Sequence, residues 1–368
     1  MKAFAEKKPH YRLKQLALAN KKVNLNLYFF SVDMIDLKNK RIKGYYYDFS
    51  TKKWKTGFFP YPDILYRRGG INKNNRKNYR VFIRQCKQRD TKFINPSSLG
   101  NWDIYNYFSS VESLQPYLLQ TILYDHPEDL YYMVRKHKTI YLKGVTGRKG
   151  QKVVRVEKLS PKKFRCKYYD HVTGRVYTKV YNSLAEMIPF IEKFYKGKRF
   201  MIQEAIDLLE VKKRRIDLRA ELQRSENGVI HISGISARMS QRNSPITIHS
   251  QAFPLDELFE VIKIPAAERP KLNEMIEQFL YTVYKETERK YGNFAEIGID
   301  FALNKDLEIK FIECNSQSAK VSLMKAYGRK TLHRAMLNIL LYSKYLIGKN
   351  KVEKEPREVE EREGALTF

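Results

Sequence analysis

The spacing of apolar and polar positions changes several times along the chain, and each change predicts an element. Residues 21–94 read as short β-like runs (VNLNLYFFSV, GYYYDF, ILYRR) broken by Lys/Asn-rich loops, then a helix and the strand Thr91–Ile94. Asn95-Pro96-Ser97-Ser98 is a turn and a domain boundary. Residues 111–138 hold one or two helices, one opening at Pro127-Glu128-Asp129, where proline suits the first turn and carboxylates face the positive end of the helix dipole. Strands at Thr139–Lys143 and QKVVRVEK flank GVTGRKG, and a second hairpin joins FRCKYY to RVYTKV about His171–Gly174. Ser183 and Glu186 form a capping box for a helix whose Leu184, Met187, Ile188, Ile191 and Tyr195 share one face, with Gly197 ending it.

Beyond it, Phe200–Ile206 reads as a buried strand. Arg215–Arg224 alternates, with Ile216, Leu218, Ala220 and Leu222 on one face and Arg215, Asp217, Arg219 and Glu221 on the other. If Asn227-Gly228 is the whole hairpin loop, Asp217 falls opposite Arg238. A helix around Leu272–Lys290, the hairpin FAEIGIDFAL/LEIKFIECN and a helix over Thr331–Ile347 follow. The first 20 or so residues read as a loosely held basic lead-in or an edge strand, and the charge-dense segment from Gly348 as a solvated tail. The class is α+β. The expected units are an N-terminal domain over 1–95, linker helices and a subdomain with a glycine flap over 96–198, a second subdomain over 199–348, and a charged disordered tail over 349–368.

Composition narrows the classes. The chain has 368 residues, 43% apolar, with 20 Phe and 26 Tyr, which supplies cores for two or three units. Only 13 Pro and 17 Gly argue against a fibrous or low-complexity chain. No apolar run approaches the roughly 20 residues that span a bilayer, and MKAFAEKKPHYRLKQ lacks the apolar stretch of a secretion signal. Cys86, Cys166 and Cys314 share no paired spacing, which suits a reducing compartment; a cytoplasmic location is expected. The net charge of +30 attracts polyanions and does not specify a reaction. Nucleic acid is one such partner, less favoured because the charge forms no single arm.

The acidic hairpin carries the most chemistry. Glu313 and Asn315 lie two apart, and pairing about Asn304–Leu307 puts Asp300 on their face, with Ile299, Phe301, Ile312 and Cys314 toward the core. Two carboxylates and an amide oxygen suit Mg²⁺, whereas the plainer alternative pairs them with lysines and arginines. Gly144–Gly150 lets backbone N–H groups approach phosphate, with Arg148 and Lys149 for charge, although taken alone a hairpin turn explains it better. Gln203, Glu204, Ala205 and Ile206 offer contacts to a base edge, Asp217 an acceptor for a ribose hydroxyl, and Arg219 and Arg238 a grip on phosphate; each alone is commonplace. The seven histidines lack metal-ligand spacing, and no Cys–His or GxSxG arrangement occurs.

Taken in order, these pieces resemble the ATP-grasp superfamily. YLKGVTGRKG, RRIDLRAELQ and FAEIGIDFAL…IKFIECN are similar to the spore-coat-associated YheC/YheD family over roughly residues 95–345. The resemblance implies two α+β subdomains clasping ATP behind a smaller N-terminal domain that often shapes the acceptor site. It implies that Lys143 and the flap residues Gly147, Arg148, Lys149 and Gly150 contact phosphates, and that Gln203, Glu204, Ala205 and Ile206 meet adenine. Asp217 takes the ribose side, Arg219 and Arg238 act on the transferring phosphoryl group, and Asp300, Glu313 and Asn315 bind one or two Mg²⁺. The implied reaction is carboxylate plus ATP giving an acyl-phosphate, then attack by an amine or thiol, on an acidic or polyanionic substrate, in a spore-associated setting. A nucleotide-binding coat module without turnover is the alternative, and a polyanion-binding protein a third reading. Three positions depart from the pattern: Gly144 follows Lys143 where Lys-Pro is common, Asn101 stands where a phosphate-binding lysine is expected, and RNSPITIHSQAF replaces an Asn and paired glycines.

Overall fold

The computed structural model describes residues 11–145, 152–212, 214–240 and 251–363. Helix α1 (Tyr11–Val23) opens the described chain. Leu16, Ala19 and Val23 recur at helical spacing, and they are buried in one cluster with Leu332, Met336 and Leu340 near the other end of the chain. From residue 11 onward, the expected loosely held lead-in or edge strand is thus corrected to a docked helix. Asn20 closes it, donating to the Leu25 carbonyl at 2.7 Å and accepting from the Leu25 N–H at 3.0 Å.

The run after α1 keeps a strand's period without a strand's pairing. Leu25, Leu27 and Phe29 pack on the α1 cluster while Tyr28 and Phe30 pack on a second core, and the backbone bridges only at Phe29–Tyr45. Strands β1 (Ile35–Asp36), β2 (Arg41–Asp48) and β3 (Lys53–Pro60) make an antiparallel sheet. Strand β4 (Ile64–Tyr66), helix α2 (Arg76–Lys87) and β5 (Lys92–Ile94) make a crossover unit, since β4 and β5 are parallel.

Helix α3 (Asn101–Phe108) leads into the first six-stranded sheet: β6 (Thr121–Leu123), β7 (Thr139–Gly144), β8 (Val153–Lys158), β9 (Phe164–Asp170), β10 (Arg175–Tyr181) and β11 (Phe200–Glu204). Its order is β10-β9-β8-β7-β11-β6, with α4 (Pro127–Lys136) and α5 (Leu184–Tyr195) burying Leu130, Met133, Met187 and Ile191 with its apolar residues. Ser183 caps α5, its Oγ accepting from the Glu186 N–H at 3.0 Å.

The second large sheet is β15-β14-β13-β16-β17, with β12 (Glu210–Val211) paired to β13. Its strands are β13 (Arg214–Arg224), β14 (Ile230–Met239), β15 (Gln251–Pro254), β16 (Glu296–Leu303) and β17 (Ile309–Asn315). Helices α6 (Leu255–Val261) and α7 (Arg269–Tyr291) supply Leu258, Phe259, Ile276, Phe279 and Tyr284 to the core on its apolar face. Helix α8 (Val321–Glu363) is interrupted at Gly328, whose φ of 79° is non-helical. Its helical backbone runs past 348, where the sequence suggests a tail. Among the described residues no helix is long and apolar enough to cross a membrane.

Two bulges tune this sheet. The β13–β14 loop spans 225–229 rather than two residues, and Arg224 pairs with Ile230. Ser233 is then left over, because Leu222 pairs with Ile232 and Glu221 with Gly234; the extra residue restores Asp217 opposite Arg238. On β17, Asp300 pairs with Glu313 but Phe301 with Phe311, so Ile312 is the bulged residue. Phe311 therefore takes the core place that plain alternation gives to Ile312.

Candidate active site

The polar face of the second sheet is built in cross-strand rows. Ser236, Arg219, Asp300 and Glu313 are successive partners across β14, β13, β16 and β17, and Gly234, Glu221, Gly298 and Asn315 form the next row. A Cβ on Gly298 would meet Ser318 Cβ at 3.1 Å and Arg219 Nη1 at 3.2 Å, so the missing side chain makes room for the guanidinium.

Arg219 grips Asp300 with Nε on Oδ1 and Nη2 on Oδ2 at 2.8 Å. Arg238 is bidentate to Asp217, at 2.7 and 2.8 Å, and its Nη2 also lies 3.1 Å from Asp300 Oδ2. Burial opposes charge on Asp300, but Arg219 and then Arg238 outweigh it and hold the carboxyl below its ordinary range. Glu313 is set differently. Burial and then the charge of Asp300 push its carboxyl up, and its bonded partner is the Asn315 amide, donating at 3.0 Å. Among the described residues no lysine or arginine lies within ion-pair distance of Glu313.

Lys143 and Gln203 stand on neighbouring strands of the other large sheet. Lys143 Nζ donates to Gln203 Oε1 at 2.6 Å, and Gln203 Nε2 donates to Thr121 Oγ1 at 2.9 Å. Burial lowers the Lys143 pKa, while Glu313, Asp300 and Asp217 act in the opposite sense, so the lysine feels the acids of the second sheet across the cleft. Arg215 ties the sheets directly, donating to Tyr141 Oη at 3.0 Å. Glu204 is already engaged: its Oε1 accepts from the Gln120 N–H at 2.7 Å and its Oε2 lies 3.2 Å from His137 Nδ1. The Glu204 and Ala205 N–H groups donate to the carbonyls of Gln120 and Thr139. Ile206 follows β11 in the connection toward β12. Gly147, Arg148, Lys149 and Gly150 lie outside the described residues, as does the RNSPITIHS segment.

Sequence reasoning missed a buried layer beneath these residues. Lys320, 1% exposed, reaches Glu221 Oε2 at 3.3 Å and also pairs with Glu296; both glutamates are 0% exposed. Glu296 further binds Arg68 and accepts from Tyr66 Oη at 2.6 Å, and Glu221 accepts from Ser318 Oγ. Asn95 spans the same region, donating to the carbonyls of Glu296 at 2.8 Å and Ser316 at 2.6 Å. Arg68, Lys320, Arg219 and Arg238 thus face Glu296, Glu221, Asp300 and Asp217 in a chain of charges from the N-terminal domain to the acidic hairpin, and Arg12 also interacts with Glu296 and Arg68. Its one sequence signal was Glu296 at the head of a largely apolar strand.

Glu313 and Asn315 offer oxygens suited to a hard divalent cation, and Asp300 would share its oxygens between such a cation and Arg219 and Arg238. Their donors are oxygens on one face, and Glu313 has its ionised form disfavoured by its surroundings, which a cation would reverse. Among the described residues no group of three or more His, Cys, Asp or Glu side chains could hold a metal, so the amide oxygen of Asn315 and ligand oxygens would complete such a site.

A family model described as YheC/D like ATP-grasp matches residues 90–346. The endospore coat-associated protein YheC of Bacillus subtilis (strain 168) is 22% identical over 290 residues, covering 77% of this chain and 78% of YheC. The endospore coat-associated protein YheD of the same strain is 20% identical over 299 residues, covering 80% of this chain and 64% of YheD, so the chain spans less than two-thirds of that relative. Among solved structures, ATP-grasp ligase PsnB complexed with a minimal precursor matches with a TM-score of 0.52 and 9% identity, over 89% of this chain and 95% of PsnB. A second PsnB structure, holding a phosphomimetic precursor variant, Mg and ADP, gives the same score over 90% and 96%. The fold is shared with these ligases, and the chain belongs to the YheC/D-like ATP-grasp family.

Proposed function

We propose that this chain is an ATP-dependent ligase that joins a carboxylate to an amine or thiol through an acyl-phosphate. The observation carrying the reading is the placement of Asp300, Glu313 and Asn315 beside Arg219 and Arg238, with Lys143 within their electrostatic reach. Phosphoryl transfer needs positioning and charge compensation more than covalent help from the protein, and this is what the set supplies. Asp300, Glu313 and Asn315 would hold Mg²⁺, which when bound offsets phosphate charge. Arg219 and Arg238 are anchored by Asp300 and Asp217, so their guanidiniums are oriented before substrate arrives. Lys143 donates to phosphate oxygens from β7, and Gln203 holds its ammonium in place.

In the reaction, a substrate carboxylate oxygen attacks the terminal phosphorus of ATP and ADP leaves. The amine or thiol then attacks the acyl carbon and phosphate leaves with the C–O bond's electrons. PsnB supports the reading as a fold relative solved with Mg and ADP. The Mg-ATP site and a spore association both belong to this proposal, the latter on the names of YheC and YheD. Asn101, where the family pattern expects a phosphate-binding lysine, favours a second reading: a module that binds nucleotide without turnover.

Thermal unfolding with and without Mg-ATP tests the site, in the wild type and in Glu313→Gln. Saturation at about 100 times Kd adds roughly 2.7 kcal/mol, several degrees in Tm. A Mg²⁺-dependent rise lost in Glu313→Gln supports the site, and ADP release with a carboxylate acceptor then separates ligase from binding module. No rise in either protein overturns both.

A further inference from the structure

Residues 36–92 contain 17 Lys and Arg against 4 Asp and Glu, a local balance of +13 within a total of +30. Two of the four acids are locally matched, Asp36 with Arg41 and Asp48 with Lys55. Much of the excess falls on one helix. Lys73, Lys77, Arg80, Arg84 and Lys87 recur at three- and four-residue spacing, leading into and along α2, and all are exposed. Arg76 adds to them at the first turn, and no acid lies in the helix. Among the described residues none of these six side chains forms an ion pair. Nearly all of this stretch also lies before residue 90, where the family match begins.

We propose that the exposed face of α2 is a docking track for an acidic polypeptide segment that brings a carboxylate to the active site. The choice of a carboxylate polymer rests on the ligase reading; the track itself does not. Its direction comes from topology. Because β4 and β5 are parallel, α2 runs antiparallel to them and its first turn lies toward their C-terminal ends. Arg67 and Arg68 follow β4 at that end, donating to Ser98 Oγ at 3.1 Å and binding Glu296, so the basic face leads toward the charge network under the acidic hairpin. The chemistry of the face selects the partner. Tyr79, Phe82 and Ile83 pack inward, leaving no exposed aromatic on α2 for bases to stack on and no exposed apolar residue to enter a lipid surface. Arginine and lysine alone at this spacing suit successive carboxylates.

The test uses the full chain with fluorescent poly-L-glutamate, and parallel titrations with single-stranded DNA and with phosphatidylserine vesicles. The variant is Lys77→Gln/Arg80→Gln/Arg84→Gln, three exposed changes that leave the core of α2 intact. Poly-L-glutamate binds the wild type, and the variant binds it roughly tenfold or more weakly, with more salt also weakening the complex. Its thermal rise with Mg-ATP matches that of the wild type. Equal poly-L-glutamate binding by the variant overturns the track. Tighter binding of DNA or vesicles than of poly-L-glutamate, lost in the variant, overturns the polypeptide assignment. Failure of the Mg-ATP rise in both proteins strikes the ligase reading instead, and leaves the binding comparison to stand or fall by itself.

Discussion

Replacing Lys320 by Met probes the buried charge network most directly. Lys320 is 1% exposed and its ammonium lies between Glu221 and Glu296, each 0% exposed. Removing this ammonium leaves two buried carboxylates short of a shared cation in a dry setting. Breaking a buried pair by deleting one partner costs about 3–5 kcal/mol. Glu296 keeps Arg68 and Tyr66, and Glu221 keeps Ser318, which places the cost near the lower end, about 3 kcal/mol. At about 2–4 °C per kcal/mol, Tm should fall by roughly 6–12 °C. Adding Glu221→Gln restores the charge balance and should recover roughly half the loss, a coupling that only interacting residues show. The pH dependence has a definite sign. Burial opposes charge on Glu296, but Lys320 and then Arg68 hold its pKa below the ordinary value. Its stabilisation is therefore present above the unfolded pKa near ~4.3 and lost as pH falls through the folded value. The gap between wild type and Lys320→Met should accordingly narrow below about pH 4.3. Unfolding of Lys320→Met within a degree of wild type at pH 7, or a double mutant no better than the single, would refute the reasoning.

Other expectations follow from neighbouring residues. Glu313→Gln should stabilise the chain at neutral pH without Mg-ATP, since burial and Asp300 raise this carboxyl's folded pKa and make its ionised form a liability. That advantage is full above the raised folded value and vanishes as pH falls to the unfolded value near ~4.3, which denaturant titrations at several pH values would follow. Asn95→Gly should cost about 2–3 kcal/mol in urea unfolding, because Asn95 loses bonds to Glu296, Ser316 and Ala295. The φ of 53° at this position suits glycine, so the measured loss would report the bonds rather than the backbone.

The polar face of the second sheet was legible where it depended on local order. Period-two alternation put Asp217, Arg219 and Glu221 on one face, and the turn at Asn304–Leu307 put Asp300 beside Glu313. The Asp217–Arg238 pair came out through a two-residue loop that does not exist, rescued by a bulge that no turn rule supplies. What stayed hidden was distant in sequence. Lys320 lies 99 residues from Glu221, and Arg68 lies 228 from Glu296. Alternation shows that Glu221 leaves the apolar face, but not that Ser318 and Lys320 cover it. Similarly, Leu16, Ala19 and Val23 have helical spacing, yet α1 becomes intelligible only with the C-terminal helix that it packs against.

The leftover Ser233 sits between two confined glycines of its hairpin, Gly228 and Gly234. Gly234 beyond it has no room for a side chain, since a Cβ would meet Leu323 Cδ1 at 2.7 Å, and Leu323 is fully buried. Gly228 at the tip is held as tightly: its φ is 74° and a Cβ there would meet Tyr345 Cε1 at 2.7 Å. Deleting Ser233 would let Ile232 run straight on to Gly234, so Leu222–Ile232 and Glu221–Gly234 keep their pairing and only the bulge is lost. Among relatives, length changes in this hairpin should consequently fall at the bulge, while both glycines persist.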